Sequence, residues 1–313
     1  MNKKNQSWLE DFQLQGFANT ENYSIELFFI FLFTYLLTLL GNMVIVLVVR
    51  LHVNLHTPMY YFITNLSFLE IWYISCTVPK LLVMLLTNDK RVSFHWCFAQ
   101  MYMFNGLGMT ECALLAVMAF DRYLAICYPL RYRSLMNDRL CRHLVLISWT
   151  YGFMAATITL SFTITLPFCG PGYIDHYFCD LGPLLLLACI NTSLNNIINS
   201  CVIGFVTVLN FIIIIIMYIN IIHAIIRMKT NTGKIRAFST CSSHITVVML
   251  FYSTAFTVYC SPKGLHSVKY DKMLSLVYAI FTPLLNPIIY SLRNKEVKIA
   301  VRRIFTLTYK KVK

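Results

Sequence analysis

The chain has 313 residues, of which 58% are hydrophobic and only 12% charged. Soluble domains run at roughly 45–50% apolar and about 25% charged, so this composition leaves too little polar surface to coat a water-soluble particle. Disordered chains, coiled coils and ordinary cytosolic enzymes are thereby excluded, and the remaining reading is an integral membrane protein whose net charge of +13 needs a location.

Residues 1–24 are polar and show no short apolar stretch followed by a small-residue cleavage site, so they read as an uncleaved N-terminal segment. Seven apolar runs follow, at Ile25–Val49, Pro58–Leu86, Cys97–Cys127, Leu140–Phe168, Asn196–Ile226, Ala237–Cys260 and Met273–Leu292. Each is long enough to cross a bilayer, which takes about 20 residues. No alternating pattern of barrel strands is present. The expected fold is an all-α membrane protein, a seven-helix bundle over residues 25–292. In the tail, residues 293–313, Val297, Ala300, Val301 and Ile304 recur at helical spacing among basic residues, which predicts a short interfacial helix.

Lys and Arg fix the expected orientation, because cytoplasmic loops carry the excess. Eighteen lie on the side of Arg50, Arg122, Arg227 and the tail, against eight on the N-terminal side. With three carboxylates on the first side and eight on the second, the inner face carries +15 and the outer face none. The N-terminus is therefore expected outside and the C-terminus in the cytoplasm of a plasma-membrane protein. The basic face suits anionic lipid and an acidic cytosolic partner, which leaves nothing for nucleic acid to explain. Sequons at Asn5, Asn22 and Asn191 fall on the same outer side.

Most of the 11 cysteines lie in spans, where Cys serves as a small hydrophobe. Cys97, Cys169, Cys179 and Cys189 fall outside, where disulfides form, and four cysteines allow three pairings. Cys260 is a further candidate. A metal reading of His176-Tyr-Phe-Cys179 lacks a second ligand pair at standard spacing.

Ionisable groups within spans are costly and mark function. At about 1.5 Å per residue, Glu70 lies roughly 18 Å, Glu111 roughly 15 Å, Asn42 roughly 12 Å and Asn286 roughly 10 Å above the cytoplasmic helix ends. Four helices thus contribute to one polar layer. Two carboxylates there repel one another, so a proton or a hard cation such as Na⁺ belongs between them. Asp121-Arg122-Tyr123 closes span three, as a snorkelling pair or as a latch that breaks on activation. Asn286-Pro287 puts a kink in span seven. The motifs of zinc proteases, serine hydrolases and phosphate loops are absent, and no enzyme is expected.

Gly41-Asn42, Leu55-His56-Thr57-Pro58-Met59-Tyr60, Met118 to Cys127 around Asp121-Arg122-Tyr123, Ala237-Phe238-Ser239-Thr240-Cys241-Ser242-Ser243-His244, and Pro283 to Asn294 occur in order on successive spans. Together they resemble the olfactory receptor family of rhodopsin-like G-protein-coupled receptors, over nearly the whole chain. The wording of span three and the second outer loop is similar to subfamilies 6 and 11. The resemblance implies disulfides Cys97–Cys179 and Cys169–Cys189, and an allosteric Na⁺ layer of Glu70, Glu111 and Asn286. Glu70 stands where the family usually has Asp, and Phe120 where it usually has Tyr.

The resemblance also implies an odorant site at Phe104, Asn105, Gly108, Met109, Val202, Val206, Tyr252, Ala255, Phe256, Tyr259 and Leu276. That set is mostly apolar, with few hydrogen-bonding groups and no acid, which suits small volatile ligands and disfavours amines. Binding is expected to swing span six outward and free Arg122 for a stimulatory heterotrimeric G protein, raising cAMP. Asp121, Tyr123, Tyr218, Asn286, Pro287 and Tyr290 belong to that switch. The nearest alternative is a non-olfactory chemoreceptor of the same fold, against which stand the Ala237–His244 string, the extra loop cysteines and the short third loop. A transporter would show inverted repeats, and none is visible.

Overall fold

A computed structural model describes residues 11–17, 21–259, 268–293 and 299. In chain order the elements are β1 (Asp11–Leu14), α1 (Ser24–Leu51), α2 (Pro58–Thr87), β2 (Arg91–Ser93), α3 (Phe94–Cys127), α4 (Tyr132–Leu135), α5 (Asp138–Ile164), β3 (Tyr173–Ile174), α6 (Leu181–Leu185), α7 (Ser193–Arg227), α8 (Asn231–Tyr259), α9 (Val268–Leu276) and α10 (Thr282–Arg293). A π-helical turn, Val277–Phe281, joins α9 to α10 into one span. Among the described residues six helices are long and apolar enough to cross a membrane: α1, α2, α3, α5, α7 and the run Lys272–Tyr290. The seventh, α8, spans 29 residues but opens on a polar stretch from Asn231 to His244. It packs against α3, α7 and α10 and completes the bundle.

Span four differs from the sequence expectation: α5 ends at Ile164, not Phe168. Pro167 disfavours helical geometry at the residue before it, and the helix stops short of it. Other spans start earlier than their apolar runs. α3 begins at Phe94 because the Ser93 side chain caps it, accepting from the Trp96 N–H at 3.5 Å.

α3 is the buried axis and packs most extensively on α5. Glycine permits that approach. A Cβ on Gly152 would come within 2.6 Å of the Thr110 backbone nitrogen, and one on Gly106 within 2.9 Å of the Phe153 ring. Small residues at helix crossings are the usual device for close packing in lipid. Gly41 plays the same part between α1 and α10, since its Cβ would sit 3.2 Å from Pro287 Cγ.

Asp11–Leu14 forms regular structure that the polarity of its surroundings does not suggest. β1 pairs antiparallel with β2 and parallel with β3, capping one end of the bundle. Its alternate residues Phe12 and Leu14 are fully buried, and Phe12 packs on Phe94 and Phe168 with ring centres 5.8 and 5.7 Å apart. Four residues of period-two alternation are too few to stand out in an otherwise polar segment. Lys272 in α9 then ties three segments together, donating to the Gly16 carbonyl at 3.0 Å and to the Asp175 carboxylate.

Candidate ligand cavity and buried polar layer

At the sheet-capped end, Cys97 of α3 is bonded to Cys179, with Cα atoms 5.3 Å apart, and Cys169 to Cys189, at 5.6 Å. The first bond pins the loop between α5 and α7 over α3. Gln100 reinforces it, accepting from Cys179 N at 2.9 Å and donating to the Cys76 carbonyl of α2 at 2.6 Å. The tethered loop places Phe178 against Phe104 (ring centres 4.6 Å apart), and Phe104 also meets Tyr73 and Tyr278.

Beneath this aromatic lid lies a cavity of about 40 Å³. Phe104, Asn105, Gly108, Met109 and Ala255 line it together with Tyr73, Cys112, Ile203, Thr207, Phe251 and Tyr278. The last six were missed by the sequence reading. Two misses have a simple cause. Ile203 and Thr207 follow Val202 and Val206 by one position each, a rotation of about 100° around α7, and the rotation decides which neighbour faces inward. Val206 is buried in the core and does not line the cavity, while Val202, Phe256 and Leu276 are half-buried against the core. Tyr252 is buried and packs on Phe211 and Phe256. The side chain of Tyr259 lies outside the described residues, as do Asn5, Cys260 and the expected tail helix. Asn22 and Asn191 are exposed, and the Asn191 side chain accepts from Ser193.

Deeper in the bundle the polar layer assembles. Glu70 and Glu111 are 0% and 2% exposed. Asn286 donates to Glu70, and Glu111 is buried in the same layer. Asn42 Nδ2 donates to the carbonyls of Thr38 (3.0 Å) and Pro283 (3.2 Å). Four oxygens, Glu70 Oε2, Glu111 Oε1, Asn42 Oδ1 and Asn286 Oδ1, meet no donor among the described residues. Unpaired buried oxygens from carboxylates and amides are the donor set of a hard cation. Among the described residues no three His, Cys, Asp or Glu side chains cluster to hold a metal.

At the far end of α3, Asp121 and Arg122 do not form the ion pair their adjacency suggested; among the described residues none joins them. Successive helical positions point about 100° apart. Asp121 instead accepts from the Tyr132 hydroxyl of α4 at 2.6 Å. Arg122, 3% exposed, directs Nη1 at Met59 Sδ, 2.8 Å away. Beside it the Tyr218 hydroxyl meets His244 Nδ1 at 2.7 Å, and His244 Nε2 lies 3.1 Å from the Leu115 carbonyl. A carbonyl only accepts, so His244 carries its proton on Nε2, and its Nδ1 accepts a hydrogen bond from the Tyr218 hydroxyl. One imidazole thus joins α3, α7 and α8. Tyr123 pairs with Tyr128 at the exposed rim, and the Tyr290 hydroxyl has no partner among the described residues.

A helical bundle with a lidded apolar cavity at one end, a carboxylate layer at mid-depth and a buried arginine at the other end defines a seven-helix membrane receptor. The comparisons agree. The family profile described as Olfactory receptor matches residues 31–308. Human olfactory receptor 6N1 is 46% identical over 307 residues, covering 97% of both chains. Human olfactory receptor 11H12 is 46% identical over 95% of this chain and 91% of its own, and mouse olfactory receptor 6B9 is 43% identical over 94% and 93%. The chain belongs to the olfactory receptor family. It is a multi-pass membrane protein and an odorant receptor, not an enzyme.

Proposed function

We propose that this receptor takes small apolar odorants into the cavity of Phe104, Asn105, Gly108, Met109 and Ala255 and answers by activating a stimulatory G protein, which raises cAMP. The observation that carries the reading is the layout along α3: the cavity wall, Glu111 and Arg122 lie on one helix, so a shift of α3 or α8 at the ligand is felt at the arginine. Ligand binding selects the conformation in which α8 leaves α3. His244 then loses the Leu115 carbonyl, Tyr218 is released, and Arg122 turns from Met59 toward the Tyr290 hydroxyl and the G protein. Asp121, Tyr123 and Tyr132 hold the second cytoplasmic loop, and Pro287 supplies the bend in span seven.

Glu70, Glu111 and Asn286 would hold Na⁺ in the inactive arrangement; a bound cation supplies the positive charge that lets both carboxylates ionise side by side. The rival occupant is one proton shared by the two carboxyls, which suits the same oxygens.

In this reading the N-terminus lies outside, with Asn5, Asn22 and Asn191 available for glycosylation, and the tail in the cytoplasm. A groove of about 560 Å³ at the ends of α1, α2 and α5, lined by Arg50, His56, Arg142 and Asp138 beside Val49 and Phe68, supports contact with anionic lipid on the basic face. The test joins two readouts: staining of an N-terminal epitope in intact cells, and a panel of G-protein biosensors under odorant stimulation. Surface staining with a selective stimulatory response is expected. A hidden epitope, or coupling confined to inhibitory G proteins, contradicts the proposal.

A further inference from the structure

We propose that the cavity selects compact, uncharged molecules carrying one hydrogen-bond acceptor, a carbonyl or ether oxygen, seated on the Asn105 side-chain amide. The inference rests on the odorant reading and narrows its ligand class.

Asn105 is 7% exposed, lines the cavity, and its Nδ2 meets no acceptor among the described residues. The other helical asparagines behave differently. Asn42, Asn65, Asn210 and Asn220 each donate to the carbonyl four residues back in their own helix. Asn105 leaves its amide Nδ2 without an acceptor among the described residues, in a side chain that lines the cavity. A buried donor without an acceptor is costly, and an arriving oxygen removes that cost. In the arrangement seen here the unpaired group is the amide N–H, which can only donate, so it favours a ligand that brings an acceptor.

Charge and size narrow the class further. Among the described residues no Asp, Glu, Lys, Arg or His lines the cavity, so neither an ammonium nor a carboxylate would find a counter-charge from them. A volume of about 40 Å³ seats the equivalent of a few waters, which favours short or cyclic carbon frames over long chains. Gly108 provides part of that room. A Cβ there would only touch Tyr73, 3.4 Å from its hydroxyl oxygen, so Gly108→Ala is tolerated by the fold and takes space from the ligand.

The experiment uses the full receptor in cells with a cAMP reporter, surface staining, and a panel of matched sets: 2-heptanone, 2-heptanol and heptane; cyclohexanone, cyclohexanol and cyclohexane; anisole and toluene; with 2-decanone as the long-chain arm. Ketones or the ether are expected to be about ten- to hundredfold more potent than their hydrocarbons, in line with one buried donor satisfied. Asn105→Leu, which keeps the side chain's shape, is expected to erase that advantage, and Gly108→Ala to weaken the larger ligands first. Responses without an acceptor preference, a preference for alcohols over ketones, or a ketone preference surviving in Asn105→Leu overturn this inference and leave the odorant reading standing. The comparison in the unsubstituted receptor decides the matter if Asn105→Leu does not reach the surface. Silence to the whole panel from a surface-stained receptor counts against the odorant reading itself, and this inference falls with it.

Discussion

Asn42 Nδ2 donates a 3.2 Å hydrogen bond to the carbonyl of Pro283, the carbonyl that Pro287, lacking an N–H four residues on, leaves without its helical donor. One side chain in span one thus completes the backbone of span seven, which is the condition for a proline-broken helix to stand in lipid. Gly41, next to Asn42, is what lets Pro287 come close enough. Asn42→Leu leaves the Pro283 carbonyl orphaned at an expected cost of about 1–3 kcal/mol. Surface expression and thermal stability should both fall, while Asn65→Leu, whose amide serves only its own helix, should change stability by less. Equal stability of the two variants contradicts this role.

His244 is the second tie between spans. Its two hydrogen bonds hold α8 to Tyr218 and to the Leu115 carbonyl. His244→Phe keeps the volume and deletes both bonds, each worth about 0.6–1 kcal/mol in a membrane interior. The inactive packing of α8 loses support, so ligand-free cAMP is expected to rise several-fold at equal surface density. Basal signalling at or below the unsubstituted level would mean that the imidazole does not hold the bundle closed.

The carboxylate layer gives a salt-dependent expectation. With Glu70 and Glu111 both replaced by Gln, no anionic site remains for a cation, and the Na⁺ sensitivity of agonist potency should vanish. If Na⁺ replacement by choline shifts the double variant as much as the unsubstituted receptor, the layer holds no functional ion. If neither receptor responds to Na⁺, the shared-proton arrangement holds instead.

The loop over the cavity carries a pH dependence. Burial against Tyr177 and Phe178, and then the nearby Lys272 ammonium, hold His176 down at about 3, and its Nδ1 accepts from the Phe178 N–H at 3.4 Å. In the unfolded chain the imidazole titrates near 6.5. Between roughly pH 6.5 and 3 the unfolded state binds the extra proton, so stability is fully present above that window and falls as pH drops through it. The melting temperature of the purified receptor in nanodiscs should fall from pH 7.5 to pH 5, and His176→Phe should flatten that slope. An unchanged slope places the sensitive group elsewhere.

Much of this was legible in the sequence because lipid leaves few choices. Long apolar runs located the spans, and the rarity of charge within them made Glu70, Glu111, Asp121 and Arg122 visible at once. What escaped depended on three-dimensional closure. Phe12 and Leu14 form a strand only because β2 and β3 arrive from distant loops to pair with it. Ile203 and Thr207 face the cavity through the rotation of α7, where the lipid-facing side is apolar too and only Asn199, Thr207 and Asn210 mark the buried face. Asp121 and Arg122 are adjacent in sequence yet diverge around α3, so Tyr132 and Met59 take the places each was expected to fill for the other. Asn42 was seen as polar at mid-depth, but its purpose required knowing that Pro283 lies beside it.

The most direct test of odorant reception transmitted along α3 is odorant-evoked cAMP in cells expressing the unsubstituted receptor or Arg122→Ala at matched surface density. Arg122 lies at the far end of α3 from the cavity, so its loss should leave ligand binding and folding intact and reduce evoked cAMP by at least tenfold. A retained response in Arg122→Ala would contradict the mechanism, and so would a receptor that reaches the surface yet answers no odorant.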